Sequence, residues 1–253
     1  MSIFDLYQIN YLSNFYIWNC MYREIIYKKY HLGSDFFFEG MTEEELSLLH
    51  SRSVSHPYQK GQVIFRAGMT PTGIYLLSSG KVKKYTIGDD GKQHIFYICK
   101  SGEALGYHSL LSEEPYADYA ETLEDSTLTF IPKDIFLTLL EQSKQLNQKL
   151  LKSLSHEFSV FIHSTTVFAQ KTVRERLALA LLMLNEKYRI HGKPDNAVEI
   201  TLSRDDLANI IGTAKETLVR MLREFKEDHV IETHGRNIRI LQPKSLVRVA
   251  NFS

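Results

Sequence analysis

The sequence predicts an α+β fold, in which a β-rich N-terminal half precedes one long helix and a helical C-terminal unit that contains a hairpin. Three observations support this prediction. Residues 58–132 contain short β-branched and aromatic runs that alternate with glycine turns. Residues 134–169 contain no proline or glycine and carry apolar residues at helical spacing. Residues 202–225 form two short helical patterns on either side of a glycine.

Length and composition are those of a soluble globular protein with one or two domains. The 253 residues are 43% hydrophobic and 24% charged, and no apolar run reaches the roughly 20 residues of a membrane helix. The aromatic N-terminus is interrupted by polar residues and lacks a basic segment before an apolar core, unlike a signal peptide. Two cysteines, Cys20 and Cys99, cannot build a disulfide scaffold. We therefore expect a cytoplasmic protein without membrane contact.

The β-rich half is predicted to consist of short strands joined by tight turns. Asp89-Asp90-Gly91 is a strong hairpin signal, because Asp-Gly is a preferred pair in hairpin turns. Turns with glycine also separate the other strand patterns. The patterns lie at residues 63–65, 74–77, 81–87, 94–99 and 126–131.

Residues 134–170 are predicted to form one long helix with a bend near its start. Six side chains of this helix alternate at spacings of three and four residues, which is the seam of a coiled coil. They are Leu151, Leu154, Phe158, Phe161, Thr165 and Phe168. The seam indicates self-association, and burial of the helix in its own domain is the alternative. A further helix is expected after it, from the capping box that begins at Thr172 to about Tyr188.

The next segment is predicted to be a helix-turn-helix. Ser203 is expected to cap the first helix, with Asp206 three residues on. Gly212 ends that helix, because glycine adopts a left-handed conformation without steric cost. Thr213 is expected to cap the second helix and to place Glu216 at its third position.

The outward face of the second helix predicts contacts with DNA bases. Lys215, Glu216 and Arg220 lie near its N-terminal half, which enters the major groove in helix-turn-helix proteins. Arginine donates two hydrogen bonds to guanine and glutamate accepts one from cytosine. Glu216 and Arg220 are four residues apart and can also brace each other. An ordinary solvated helix is the alternative, and the hairpin that follows, with Arg236 at its tip, disfavours it because the two together form a winged helix.

The charge distribution agrees with a DNA-binding C-terminal unit. Residues 171–253 contain 15 Lys and Arg against 11 Asp and Glu, a balance of +4. The first 170 residues contain 15 against 19, a balance of −4. The basic excess therefore lies where phosphates must be neutralised.

Residues 201–241 resemble the DNA-binding domain of the Crp/Fnr superfamily of transcriptional regulators, and residues 58–132 resemble its cyclic-nucleotide-binding-like β-roll, a double-stranded jelly-roll. The resemblance rests on Gly212, Glu216 and Arg220, and on glycines of the β-rich half. It implies that Lys215, Glu216 and Arg220 contact bases of a TGTGA- or TTGAT-type half-site. It also implies phosphate contacts by Ser203, Arg204, Thr213, Thr217 and Arg236.

The resemblance also implies a domain order and a set of partners. It places a sensory β-roll at residues 41–133, a dimerisation helix at residues 134–170 and a winged helix-turn-helix at residues 171–253. The aromatic-rich extension before them, residues 1–40, is unlike the superfamily. The expected protein is a homodimer on palindromic double-stranded DNA that contacts RNA polymerase and has no enzymatic activity. The aromatic extension either packs on the β-roll or a partner, or covers an apolar ligand site.

The sensor departs from the cyclic-AMP-binding members of the superfamily. Their cassette begins with Gly-Glu and ends with Arg-Ser, whereas this chain has Tyr107 after Gly106, and Ala117 and Asp118 in place of the last pair. Loss of the cation and gain of a carboxylate reverse the charge of a phosphate site. We expect no cyclic AMP binding.

The cysteines and histidines of the sequence limit which other effectors the sensor could bind. An iron–sulfur cluster ordinarily requires four thiolates, and Cys20 and Cys99 supply two. Haem and a redox role of this cysteine pair remain open, as does a vestigial sensor that responds to no effector. The candidate haem ligands are His31, His56, His94 and His108.

Two other classes of protein compete with a DNA-binding regulator. A cupin-type enzyme would require a His-x-His metal motif on its strands, and none occurs. No metal site is therefore expected. A dimeric adaptor would use the winged helix to contact protein instead of DNA.

Overall fold

The computed structural model of this protein describes residues 22–32, 34, 37–189 and 198–251. The aromatic stretch up to residue 21 lies outside the described residues. So does Cys20, and with it the proposed redox pair with Cys99. No helix within the described residues is long and apolar enough to span a bilayer.

The N-terminal unit is a β-roll of two four-stranded antiparallel sheets, in the orders β1-β8-β3-β6 and β2-β7-β4-β5. All five predicted strands are present, and β1, β6 and β7 were not predicted. β1 contains Pro57 and is mostly exposed, so it has no alternating pattern, and β6 has only two residues. The strands are β1 (Val54–Tyr58), β2 (Val63–Phe65), β3 (Gly73–Ser79), β4 (Lys81–Ile87), β5 (Gln93–Lys100), β6 (Ala104–Leu105), β7 (Tyr119–Thr122) and β8 (Ser126–Pro132).

Glycine turns fix the register of the roll. The predicted turn at Gly91 joins β4 to β5 and pairs Ile87 with Gln93. Gly80, between β3 and β4, has a φ of 95°, and a Cβ there would lie 2.2 Å from Ser126 Oγ. No larger residue fits this close approach, so Gly80 allows the two sheets to meet at this edge.

Helices frame the β-roll. They are α1, residues 22–30, then α2 (Glu43–Arg52), α3 (Tyr107–Ser112), α4 (Lys133–Gln142) and α5 (Lys144–Gln170). The predicted bend in the long helix is confirmed at Ser143, which ends α4 and caps α5 by accepting a hydrogen bond from the Leu146 amide. α5 has 27 residues and is therefore about 40 Å long.

The C-terminal unit is a helical bundle with a three-stranded sheet in the order β10-β11-β9. Thr172 and Glu175 form the predicted capping box at its start. The elements are α6 (Val173–Lys187), β9 (Ile200–Thr201), α7 (Arg204–Ile211), α8 (Lys215–Glu227), β10 (Ile231–His234), β11 (Asn237–Ile240) and α9 (Pro243–Ala250).

The two units share one hydrophobic core. Tyr85, Ile95 and Ile98 of the β-roll belong to the same buried cluster as Leu177 and Leu207 of the C-terminal unit. Tyr22, Ile26 and Tyr30 of α1 join this cluster. Burial of one such side chain contributes about 1.5–3 kcal/mol, so the helical unit is held firmly against β5.

Candidate nucleic-acid interface

The helix-turn-helix forms as predicted around Ser203 and Gly212. The Ser203 side chain accepts a hydrogen bond of 2.9 Å from the Asp206 amide and caps α7. Gly212 is left-handed, with φ 64° and ψ 55°, and ends α7. A Cβ on Gly212 would lie 3.1 Å from Phe168 Cε1. Glycine is therefore required twice here, for its backbone conformation and for the close approach of α5.

The predicted cap of the second helix is wrong. Ala214, not Thr213, is the N-cap residue of α8, and no side chain caps it. The Thr213 amide still donates to the Ala208 carbonyl, at 3.1 Å, so the turn continues for one residue more than expected. Glu216 consequently occupies the second helical position of α8 instead of the third.

The two faces of α8 separate core residues from base-contact candidates. Leu218, Leu222 and Phe225 are buried, and Lys215, Glu216, Arg220 and other charged residues are exposed on the opposite side. The predicted bracing of Glu216 by Arg220 does not form. Among the described residues neither side chain has a hydrogen-bond or ion-pair partner. Both are therefore available for a ligand.

Lys215, unlike Glu216 and Arg220 on the same face, has an ion-pair partner among the described residues. Its ammonium lies 2.8 Å from the Asp205 carboxylate of α7. Both side chains are at least half exposed, so the pair contributes at most about 1 kcal/mol and opens readily.

The candidates for phosphate contacts lie around α8 and differ in their exposure to solvent. Arg236 is exposed at the tip of the β10–β11 hairpin, where Gly235 has a φ of 56°. Ser203 and Thr213 are half-buried at the two ends of α7, and Thr217 is half-buried on α8.

Arg204 holds the hairpin. Its guanidinium donates a hydrogen bond of 2.9 Å to the Gly235 carbonyl, and burial lowers the pKa of Arg204. Its Nη1 atom is buried without a partner. Arg204 therefore positions the wing, a role that its place in the sequence did not indicate.

Arg176 is a positioning residue that the sequence did not reveal. Its Nε donates to the Ile211 carbonyl at 2.8 Å, and its two amino groups donate to the Gly212 and Lys171 carbonyls at 3.3 Å. One guanidinium thus joins the turn of the helix-turn-helix to the end of α5. Two of its partners, the Ile211 and Gly212 carbonyls, lie 35 and 36 residues away, and a backbone carbonyl carries no sequence pattern that would identify it as a partner.

The seam of α5 is an exposed apolar face. Phe158 and Leu151 are 68% and 64% exposed, and Phe161, Thr165 and Phe168 are exposed as well. Leu154 departs from the prediction, because it is partly buried against the core of its own unit. Ile162, which the seam pattern omitted, is 52% exposed.

Two of the effector candidates, Gly106 and Tyr107, lie at the start of α3. Gly106 is left-handed and begins α3, and Tyr107 behind it is buried. The Tyr107 hydroxyl donates to Glu157 of α5, and His108 Nε2 donates to the same carboxylate at 2.6 Å. Burial would raise the pKa of Glu157, but the bonds from His108 and Tyr107 outweigh it and lower that pKa.

The expected reversal of charge at Asp118 is wrong. The Asp118 carboxylate lies 3.2 Å from the buried ammonium of Lys84, so the pair is neutral. Ala117 is exposed and Tyr116 is buried instead, stacked on Phe65 with ring centroids 4.0 Å apart. The pairing strand, β4, lies more than thirty residues away in sequence, which is why the pattern could not show it.

The residues present do not fit an iron–sulfur cluster. The chain has two cysteines, and burial in the roll raises the pKa of the Cys99 thiol. No group of three His, Cys, Asp or Glu that could hold a metal ion occurs within the described residues.

Three of the four histidines considered for haem are engaged by protein groups. His31 lies against Lys187, His108 bonds Glu157, and His94 Nδ1 donates to the Asn209 carbonyl at 3.2 Å. His56 is exposed on β1.

A β-roll joined by a long helix to a winged helix-turn-helix with an exposed recognition helix defines a sequence-specific DNA-binding transcriptional regulator. Residues 55–143 match the family model of the cyclic nucleotide-binding domain, and residues 175–249 match that of the Crp-like helix-turn-helix domain. The chain belongs to the Crp/Fnr superfamily of transcription regulators, as its sequence predicted.

Named relatives agree with this assignment. The chain is 28% identical over 197 residues to the fumarate and nitrate reduction regulatory protein of Vibrio cholerae, covering 78% of each chain. It is 29% identical over 210 residues to the anaerobic regulatory protein of Haemophilus influenzae, covering 83% of this chain and 81% of that one. A solved crp/fnr family regulator from Eubacterium rectale has the same fold, with a TM-score of 0.68 at 22% identity over 85% of this chain and 99% of that chain.

Proposed function

We propose that this regulator is a homodimer that binds a palindromic TGTGA- or TTGAT-like operator through Lys215, Glu216 and Arg220. The observation that carries the proposal is that Glu216 and Arg220 are exposed on α8 and that neither side chain has a partner in the part of the chain that the structure describes. A carboxylate and a guanidinium one helical turn apart match the donors and acceptors of a major groove. Ser203, Thr213, Thr217 and Arg236 would hold the phosphates on either side and fix the register.

The exposed face of α5 supports the homodimer. Phe158, Phe161 and Ile162 present a contiguous apolar surface, which is unusual on a monomer and typical of a protein interface. Two recognition helices related by a twofold axis match two half-sites one helical turn apart. The proposal also includes RNA polymerase as a further partner. It places the protein in the cytoplasm.

Fluorescence anisotropy with a palindromic TGTGA or TTGAT duplex tests the base contacts. Arg220→Ala and Glu216→Gln should each lose about 1–3 kcal/mol of discrimination against a scrambled duplex. Arg223→Gln is the matched control, because Arg223 is exposed on the same helix and pairs with Glu227. It should keep the sequence preference. A wild-type protein that binds all duplexes alike would contradict the assignment and favour an adaptor.

We propose further that the effector is not cyclic AMP. Tyr107 stands where the cyclic-AMP-binding members have glutamate, and its hydroxyl is committed to Glu157. Lys84 lies beside Asp118, and that carboxylate neutralises its charge, so a nucleotide phosphate gains no net attraction from this pair. Calorimetry with cyclic AMP should give no binding heat, and saturable binding would refute this part.

A sensor without any effector is the second candidate. It is favoured by the two sets of side chains that fill the roll with their own partners, Lys84 with Asp118, and Tyr107 and His108 with Glu157. Operator affinity should then be the same with and without host extract, gases or redox reagents. An absorption band of haem or flavin in protein isolated from its host, or an affinity that changes, would contradict it.

A further inference from the structure

Strand β4 carries two adjacent buried lysines whose partners lie in different parts of the protein. Lys83 is 8% exposed and Lys84 is 9% exposed. Successive side chains of a strand lie on opposite faces of its sheet. Lys84 accordingly pairs with Asp118 inside the β-roll, whereas Lys83 reaches Asp206 of α7 in the C-terminal unit. A lysine is rarely buried unless it is paired, so the partner of each lysine indicates its role.

Lys83 joins two carboxylates that belong to different units. Its ammonium lies 2.9 Å from Asp206 of α7 and 3.1 Å from Glu121 of β7. Burial would lower the pKa of Lys83, but the bonds to Asp206 and Glu121 outweigh it and raise that pKa. Lys83 is therefore charged at neutral pH, and it holds a carboxylate of the helix-turn-helix beside a carboxylate of the sensor.

The second oxygen of each carboxylate also has a donor. The Ser203 hydroxyl donates to Asp206 Oδ2 at 2.5 Å, and the Tyr85 hydroxyl donates to Glu121 Oε2 at 3.2 Å. Burial and the neighbouring Glu121 raise the pKa of Tyr85 to about 12, so its hydroxyl keeps its proton. These bonds fix the direction in which both carboxylates face Lys83.

Asp206 connects this ion pair to the proposed DNA surface. Its amide donates to the side chain of Ser203, which caps α7, at 2.9 Å. In the same turn of α7, Arg204 donates to the Gly235 carbonyl of the wing at 2.9 Å. Ser203 is a proposed phosphate contact and Arg204 positions the wing. A displacement of Asp206 therefore moves the start of α7 and both of these groups with it.

Removal of the Lys83 charge would turn this contact from attraction into repulsion. Asp206 and Glu121 bind the same ammonium, so their nearest oxygens are at most about 6 Å apart. The two side chains are only 19% and 21% exposed, so water screens their charges weakly. Without the cation between them, the sensor and the helix-turn-helix would repel each other at this point.

We infer that Lys83 is a positioning residue for DNA binding, through which the sensor holds the helix-turn-helix in the arrangement that presents Ser203 and the wing to DNA. This inference rests on the proposed function. Lys83 acts through Asp206 and touches neither a base nor a phosphate. Two recognition helices that bind one palindrome must both keep a fixed direction. A unit released from the β-roll has to be ordered again on binding, so release lowers operator affinity.

Fluorescence anisotropy of the full chain with the operator duplex tests this inference. Lys83→Met removes the charge and keeps the apolar stem. It should raise the dissociation constant about 10-fold or more, within the ordinary range of coupling between two sites. Glu121→Gln, added to Lys83→Met, removes the repulsion and should restore a large part of the affinity. The titrations are made well below the melting temperature of each variant, so that loss of stability alone does not change the affinity.

Lys84→Met is the matched control. Lys84 is the next residue of β4 and is equally buried, but its ammonium lies 3.2 Å from Asp118 within the β-roll. The variant should lower the melting temperature by a similar amount and leave operator affinity unchanged, because it also leaves a carboxylate buried without its cation.

Hydrogen exchange gives a second measurement that needs no DNA. Lys83→Met should speed the exchange of amides at the start of α7, among them the Asp206 amide that Ser203 binds. Lys84→Met should leave exchange in α7 as it is in the wild type. Unchanged exchange in Lys83→Met would mean that Lys83 does not hold this helix, and the inference would fail.

The affinities distinguish failure of the inference from failure of the proposed function. If Lys83→Met binds the operator as tightly as the wild type or more tightly, Lys83 does not position the helix-turn-helix for DNA, and the proposed function stands. Equal losses of affinity in Lys83→Met and Lys84→Met would indicate a general effect of stability and would also overturn the inference. A wild type that binds no duplex overturns both.

Discussion

The ammonium of Lys187 lies 2.6 Å from the carboxylate of Glu103, and this pair joins the two units of the protein inside its core. Lys187 ends α6 of the DNA-binding unit, and Glu103 precedes β6 of the roll. Glu103 is fully buried and Lys187 is 11% exposed. Tyr97 and His31 also accept hydrogen bonds from Lys187. The two units are therefore coupled by a charge pair as well as by apolar contact.

Lys187→Met should destabilise the protein by about 3–5 kcal/mol, because it leaves the Glu103 carboxylate buried without its cation. Denaturation by urea measures this loss. The double variant Glu103→Gln with Lys187→Met removes both charges and should recover part of it. A double variant as unstable as the sum of the singles would show that the two groups are not coupled.

Gly212→Ala should cost more stability than Gly235→Ala. Both glycines have positive φ, at 64° and 56°, so each substitution carries a backbone penalty of about 1–2 kcal/mol. A Cβ at Gly212 also meets Phe168 at 3.1 Å, whereas nothing lies within 4 Å of one at Gly235. The difference in melting temperature between the two variants measures the contact of the turn with α5. Equal melting temperatures would mean that Phe168 moves aside without cost.

His94 should make stability depend on pH. Burial lowers the pKa of His94, and its bond to the Asn209 carbonyl only partly offsets this. The unfolded chain therefore takes up a proton at higher pH than the folded protein does. The contribution of neutral His94 to the free energy of unfolding is complete above pH 6.5, the ordinary pKa of histidine. It is lost as the pH falls below that value.

His94→Gln should flatten the dependence of unfolding free energy on pH below 6.5. Urea titrations at several pH values compare the variant with the wild type. His56→Gln is the control, because His56 is exposed on β1 and away from the interface. A wild-type slope in His94→Gln would assign the pH dependence to other groups.

Phe158→Asp should convert the proposed dimer to a monomer without unfolding the subunit. Phe158 is 68% exposed in one subunit, so the change costs little there, but it buries an unpaired charge in the proposed interface. A penalty of about 3 kcal/mol or more raises the dissociation constant at least about 100-fold. Analytical ultracentrifugation measures it. Ser159→Asp, next to it and also exposed, is the control, and a Phe158→Asp dimer would place the interface elsewhere.

Local patterns predicted much of this fold, because their causes lie within a few residues. The capping box at Thr172, the hairpin at Gly91 and the left-handed end of α7 at Gly212 are examples. Thr213 shows the limit of such patterns. Thr213 is followed three residues later by glutamate and so satisfied the rule for a capping box. The turn that follows α7 includes Thr213, however, so that residue cannot cap α8.

The pairings that fill the sensor could not be predicted, because they join distant parts of the chain. Glu157 meets Tyr107 from 50 residues away, and Lys187 meets Glu103 from 84. A charged residue has the same neighbours in sequence whether its side chain is exposed to solvent or buried in a core. The base-contact candidates were easier to identify, since Glu216 and Arg220 lie on one helix whose period is known.

Arg176 and Gly212 together make the turn of the helix-turn-helix rigid with the end of α5. α5 can then act as a lever arm. One end is joined to the helix-turn-helix that carries the recognition helix, and the other end is the break at Ser143. A rotation of about 5° at that break would move the far end of a 40 Å arm by about 3.5 Å, and the bonds that join the DNA-binding unit to the β-roll, Lys187 with Glu103 among them, would then have to rearrange. Two such arms in a dimer would set the separation of the recognition helices by angle alone.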